Sequence, residues 1–192
     1  MINYEEKKLN IPELKGISKK TIDEHLKLYA GYVKNTNGIF AQKAEMAKNP
    51  TLAYASSETQ RRLGFEFDGM RNHEYYFALF EDGAKSLSDD SSLKKAIEKE
   101  FGSFENWLAD FKTLAMTRGP GWAILYKDGD KLLNSWVDEH HLGQLTGLSP
   151  VVALDMWEHA YMIDYIPGDK KRYIEAFFEN LNWEVAERFF TK

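Results

Sequence analysis

Asp155 and His159 stand four residues apart. On a helix that spacing sets two side chains about 40° apart on one face, where a carboxylate and an imidazole can hold one hard or borderline cation together. The commoner explanation of such a pair is a capping aspartate followed by an ordinary core or surface histidine, and spacing alone does not displace it. Two more histidines have suggestive neighbours: His73 lies within NHEYYF among aromatics, and His25 sits mid-helix beside Glu24 and four residues before Tyr29. Singly, each is more often a structural histidine than a ligand. Together, His25, His73, Asp155 and His159 make three neutral nitrogens and one carboxylate. That set suits redox-active iron or manganese better than structural zinc, which recruits cysteine, or magnesium, which prefers oxygen throughout.

Composition narrows the field. The 192 residues include no cysteine, which excludes disulfides, thiolate zinc sites, iron–sulfur clusters and cysteine nucleophiles. Any metal must therefore be held by His, Asp or Glu. Lys and Arg total 25 against 30 Asp and Glu, a formal charge of -5, with no long block of like charge. Nucleic acid and anionic membrane are poor partners for such a surface. No segment approaches the roughly 20 apolar residues of a membrane span, and MINYEEKKLNIPELKG lacks an apolar run of signal-peptide length. A cytoplasmic location is the expectation.

The elements that must position these residues can be read from periodicity and breakers. After an arm ending at Pro12, Ile22, Leu26, Tyr29 and Val33 mark one helical face from Ser18, a plausible N-cap, to about Asn35. A connection falls near Asn49-Pro50, and a second helix runs through RRLGFEFDGMRNHEYYFALFE, weakened by Gly64 and Gly69. SLSDDSS, residues 86–92, reads as a linker. Ser92 then caps LKKAIEKEF, which Gly102 ends, and Ser103 caps FENWLADFKTLAM. Beyond these helices the period changes. WAILYK and KLLNSWV, joined by DGD, read as a hairpin, and VVAL as a buried strand running straight into a turn or helix. The last segment, KRYIEAFFENLNWEVAERFF, is one or two helices. The fold class is α+β: an N-terminal helical hairpin domain, 1–86, and a C-terminal α/β domain with a small antiparallel sheet, 93–192, joined by 87–92.

DMWEHAYMIDY resembles the metal-binding signature of the iron/manganese superoxide dismutases, matching it at Asp155, Trp157, Glu158, His159, Ala160 and Tyr161. Similarity continues through HLKLYAGYVKNTN, NHEYYF, FGSFENWLADF, GPGWAILY, LTGLSP and NLNW, so nearly the whole chain is covered in order. The resemblance implies His25, His73, Asp155 and His159 as ligands of one iron or manganese ion per subunit, held between the lobes. It implies disproportionation of superoxide to oxygen and hydrogen peroxide, and a homodimer with Glu158 and Tyr161 near its interface. Trp122 and Trp157 would wall the site. Lys34 or Arg71 would supply positive potential near the entrance. The alternative is a catalytically silent metal-binding module, or a differently acting mononuclear iron protein such as an oxygenase or peroxidase.

Three departures from the family pattern matter. Tyr32, which would line the substrate funnel, follows His25 by seven residues instead of eight. Seven residues of regular α-helix return to within about 20° of the starting direction, whereas eight overshoot by about 80°. Most members therefore need an extra helical residue there, and this chain is expected to have lost that bulge with Tyr32 still facing the metal. Second, family members hold the metal's solvent ligand with a donor from helix 2 or from the loop before the aspartate. The helix position here is Gly69, so the role passes to His140 in DEHHLGQL, with His141 the fallback. Third, the position four after His25, often a histidine that reaches across the dimer, is Tyr29. Gly69 follows a pattern frequent in manganese forms, while His140 and Ala153 leave iron or dual use open, with the balance slightly on iron.

Overall fold

A computed structural model describes residues 2–192. The N-terminal part is a helical hairpin. Helix α1, Lys19–Met46, starts where the Ser18 hydroxyl accepts from the Thr21 amide, and it outlasts the predicted end near Asn35 because Thr36 and Ile39 extend its buried stripe. Asn49-Pro50 provides the stop: a 3-10 turn, Pro50–Leu52, leads into α2, Ala53–Arg61, and then α3, Leu63–Ala78. Asn35 reaches Glu66, and Met46 reaches Thr59, so the return leg runs antiparallel to α1. That pairing brings His25 of α1 level with His73 of α3.

The C-terminal part is an α/β layer. Helix α4, Ser92–Phe101, is capped by Ser91, not by Ser92 as the sequence suggested. The reason is reach: the capping hydroxyl must meet the amide three residues on, and Ser91 accepts from Lys94 at 2.9 Å. Gly102, at φ +83°, ends α4, and Ser103 caps α5, Phe104–Ala115. Strands β1, Gly121–Asp128, β2, Lys131–Asp138, and β3, Ser149–Asp155, form an antiparallel sheet in the order β2-β1-β3. The Asp128–Lys131 hairpin places Gly129 at φ +60°. Helices α6, Lys170–Asn180, and α7, Trp183–Thr191, close the chain.

Both parts share one hydrophobic core. Tyr76 and Phe77 of α3, Trp122 and Ile124 of β1, Leu154 of β3 and Phe177 of α6 are all buried in it. Pairing in β1–β3 sets Trp122 opposite Asp155. The site residues thus stand at the seam between helical hairpin and sheet. Among the described residues no helix is long and apolar enough to cross a membrane.

Candidate metal centre

Each of the four predicted ligands comes from a different local device. His25 lies on the buried stripe of α1, His73 on α3, Asp155 is the last residue of β3, and His159 belongs to a 3-10 turn, Glu158–Ala160. The helix imagined for Asp155 and His159 is therefore absent. Asp155 Oδ1 instead accepts the Trp157 amide at 2.8 Å, and this bond turns the chain so that His159 folds back beside the carboxylate.

Asp155 Oδ2 is the focus. His25 Nε2 lies 3.1 Å from it, His159 Nε2 3.2 Å and His73 Nε2 3.5 Å. His25, His73 and Asp155 are fully buried, and the His159 side chain is 20% exposed. The four donor atoms all lie within 4.8 Å of one another. First-row ions bind nitrogen and oxygen at roughly 2.0–2.2 Å, so ligands at coordination angles of about 90–120° stand about 3.0–3.6 Å apart. The contacts to Oδ2 have that spacing. His73 adds a chemical test: its Nδ1–H donates to the Gly69 carbonyl at 2.6 Å, which leaves a lone pair on Nε2, a buried atom without a hydrogen-bond partner. These residues fit an iron or manganese ion.

Electrostatics agree. Burial would raise the Asp155 carboxyl, but His159 and His25 beside it hold it well below the usual carboxylate range. Burial lowers His25 and His73 despite the nearby carboxylate, so both rings stay neutral and can offer lone pairs. The Asp155 carbonyl accepts the Tyr173 hydroxyl at 2.9 Å, a contact that fixes the strand end from outside the site.

Tyr32 and His140 meet beside this cluster. Helix α1 is unbroken α-helix from His25 to Tyr32, and the tyrosine ring lies 5.0 Å from the His73 ring. Glu24 points away, exposed and paired with Lys27. The Tyr32 hydroxyl is 2.6 Å from His140 Nε2, while the Trp122 indole N–H donates to His140 Nδ1 at 3.0 Å. An indole can only donate, so Nδ1 is the acceptor and the proton of the neutral ring sits on Nε2. Burial depresses His140 to about 4 and raises Tyr32, so both are uncharged near neutrality. His141, the fallback, instead packs its ring near Gly64 and Phe65. A methyl on Gly69 would fall 2.7 Å from Tyr32 Cδ1; the tyrosine ring fills the space that a side chain on α3 would take.

The family model for iron/manganese superoxide dismutases, C-terminal domain, matches residues 89–189. An iron superoxide dismutase of Cupriavidus metallidurans is 38% identical over 185 residues, spanning 92% of this chain and 90% of the relative. The chain belongs to the iron/manganese superoxide dismutase family. The iron superoxide dismutase of Aquifex pyrophilus is 34% identical over 93% of this chain and 86% of its own. A manganese superoxide dismutase of Haloarcula marismortui is 41% identical over 85% of this chain and 80% of its own. The family thus includes relatives named for either metal.

Other residues surround this cluster or turn away from it. Trp157 stacks on His140, with centroids 4.7 Å apart, and bonds the Glu139 carbonyl through its indole N–H. Asn72 and Gln144 both donate to the His140 carbonyl at 3.1 Å, fixing the loop. Arg71 does not reach the entrance, because it pairs with buried Glu74 and lies over Tyr4 and Phe67. Tyr29 is buried: it accepts the Lys7 amide at 2.8 Å and donates to Glu74, latching the N-terminal arm. Sequence reasoning missed Phe65, whose ring touches both Tyr32 and His140. Helical phase carried the signal: Arg62, Phe65 and Gly69 precede His73 by eleven, eight and four residues, along one face.

Proposed function

We propose that this chain disproportionates superoxide, with His25, His73, Asp155 and His159 holding one iron or manganese ion per subunit. Two superoxide ions and two protons become one oxygen and one hydrogen peroxide. A bound ion supplies the one-electron couple that no side chain here offers. The observation that carries the reading is the gathering of three imidazole nitrogens around one buried oxygen, Asp155 Oδ2. The sequence halves 1–86 and 93–192 each give two of these residues, so the linker 87–92 joins two parts of one site.

Asp155 offsets cationic charge. His140, with Nδ1 committed to Trp122, gives its Nε2–H to the Tyr32 oxygen, and Tyr32 keeps its own proton to donate as peroxide forms. Trp122, Trp157 and Phe65 crowd the approach and favour a small anion over an organic substrate. That crowding, with a third histidine beside the carboxylate, weighs against a two-histidine oxygenase. A homodimer is assigned to the surface around Glu158 and Tyr161, where Met162, Ile163 and Ile166 of the same segment are exposed. We place its action in the cytoplasm.

The test is metal content together with superoxide removal, measured on iron-loaded and manganese-loaded protein and on His159→Ala. His159 sits on a turn, so its loss opens no helix. Loaded wild type should be active, and the variant should lose metal and activity while keeping its circular dichroism. Loaded but inactive wild type, or a fully active variant, would overturn the proposal.

A further inference from the structure

Phe65 forms a partition. Its inner face meets the His140 ring at 4.7 Å and the Tyr32 ring at 6.1 Å, and the guanidinium carbon of Arg62 lies 3.5 Å from its centroid. Arg62 is half exposed. Those distances bound the separation of its charge from the His140 ring at about 8 Å, close to one Debye length at physiological salt. Glu66 opposes it: its carboxylate accepts Arg62 Nε at 3.0 Å and Asn35 Nδ2 at 3.1 Å. Exposed Lys34 lines the same cleft between α1 and α3. The lining of this cleft thus holds two cations against one carboxylate, on a chain of net charge -5.

We propose that Arg62 guides small anions to the Tyr32–His140 pair, with Glu66 as its counterweight. This rests on superoxide being the substrate. Field at a narrow approach governs the capture rate more than net charge does, and a cation within a Debye length of the entrance raises the local concentration of an anion. The two residues therefore have opposite signs of effect, which damage to the fold would not produce.

Arg62→Gln, Arg62→Lys and Glu66→Gln are compared in the metal-loaded protein. At low ionic strength Arg62→Gln should lower kcat/KM for superoxide by about two- to fivefold, and Glu66→Gln should raise it by a similar factor. Arg62→Lys should stay near wild type. All differences should collapse near 0.5 M salt, where the Debye length is roughly 4 Å. Azide affinity, read from the metal's visible absorption, should follow the same order whether or not the protein turns over superoxide. Inactive wild type with that order intact overturns the substrate and keeps the guidance; an azide order or salt response that ignores Arg62 and Glu66, or a slower Glu66→Gln, overturns the guidance.

Discussion

Replacing Gly69 with alanine tests the packing on which the Tyr32–His140 pair depends. The added methyl would stand 2.7 Å from Tyr32 Cδ1, 2.9 Å from Cε1 and 3.1 Å from Cγ, well inside van der Waals contact. The ring has little room to retreat: the His73 ring is 5.0 Å away, the Phe65 ring 6.1 Å, and the hydroxyl is bonded to His140 at 2.6 Å. Overpacking of this kind costs about 1–3 kcal/mol, and stretching the hydroxyl contact about 0.5–1.5 kcal/mol. Against this, removing glycine from a helix interior contributes about 1 kcal/mol of stability. The balance is a loss of about 0.5–3.5 kcal/mol, or a fall in Tm of about 1–14 °C for a chain of this size. Helix propensity alone gives a rise of about 2–4 °C, so the two accounts differ in sign. Thermal unfolding of Gly69→Ala, Tyr32→Ala and the double variant separates them. With the ring gone, alanine at 69 should become stabilising by about 1 kcal/mol. A Gly69→Ala protein as stable and active as wild type would refute the reasoning.

Two further outcomes follow from His140. Trp122→Phe keeps an aromatic ring but withdraws the donor from His140 Nδ1, leaving a buried acceptor unpaired; stability should fall by about 1–3 kcal/mol, and activity by roughly tenfold as the Nε2–H is no longer fixed toward Tyr32. An unchanged His140 tautomer by 15N chemical shift would contradict this. In metal-free protein, His140 at about 4 lies below the ordinary histidine value of 6.5. The unfolded chain then binds more protons between those values, so this residue's contribution is present above pH 6.5 and lost as pH falls toward 4, by about 3 kcal/mol. Urea unfolding of wild type and His140→Gln across that range should show the variant losing less stability on acidification; parallel curves would exclude the assignment.

Local chemistry made much of the fold legible. Ser18 and Ser103 cap the helices expected of them, Gly102 ends α4, and DGD closes the hairpin. Each of these signals acts within a few residues. The Asp155–His159 spacing was legible as a pair, but the sequence left turn and helix both open after the strand; a backbone bond from Trp157 to the aspartate side chain decides for the turn. Arg71 was misread for a related reason, and Tyr29, expected on the buried face of α1, has a partner that its position did not announce. Both are drawn to buried Glu74, and nothing near either in sequence announces the arm that brings Lys7 to the same carboxylate. The supports of His140, from Asn72 on α3 and Gln144 in its own loop, depend on contacts that sequence spacing does not encode.

The seven-residue step from His25 to Tyr32 and the glycine at 69 work together in this chain. A regular helix carries Tyr32 back to nearly the direction of His25 but about 10 Å farther along the axis. Because α3 runs antiparallel and the tyrosine side chain leans back toward the N-terminus of α1, its ring meets α3 at Gly69, four residues before His73. The tyrosine ring must pass there to reach His140, and any side chain on α3 would block it. Here the glycine that admits the ring also leaves α3 without a side-chain donor at that position. The donor that meets the tyrosine comes instead from the loop, where Trp122 holds His140 within hydrogen-bond distance of the tyrosine hydroxyl.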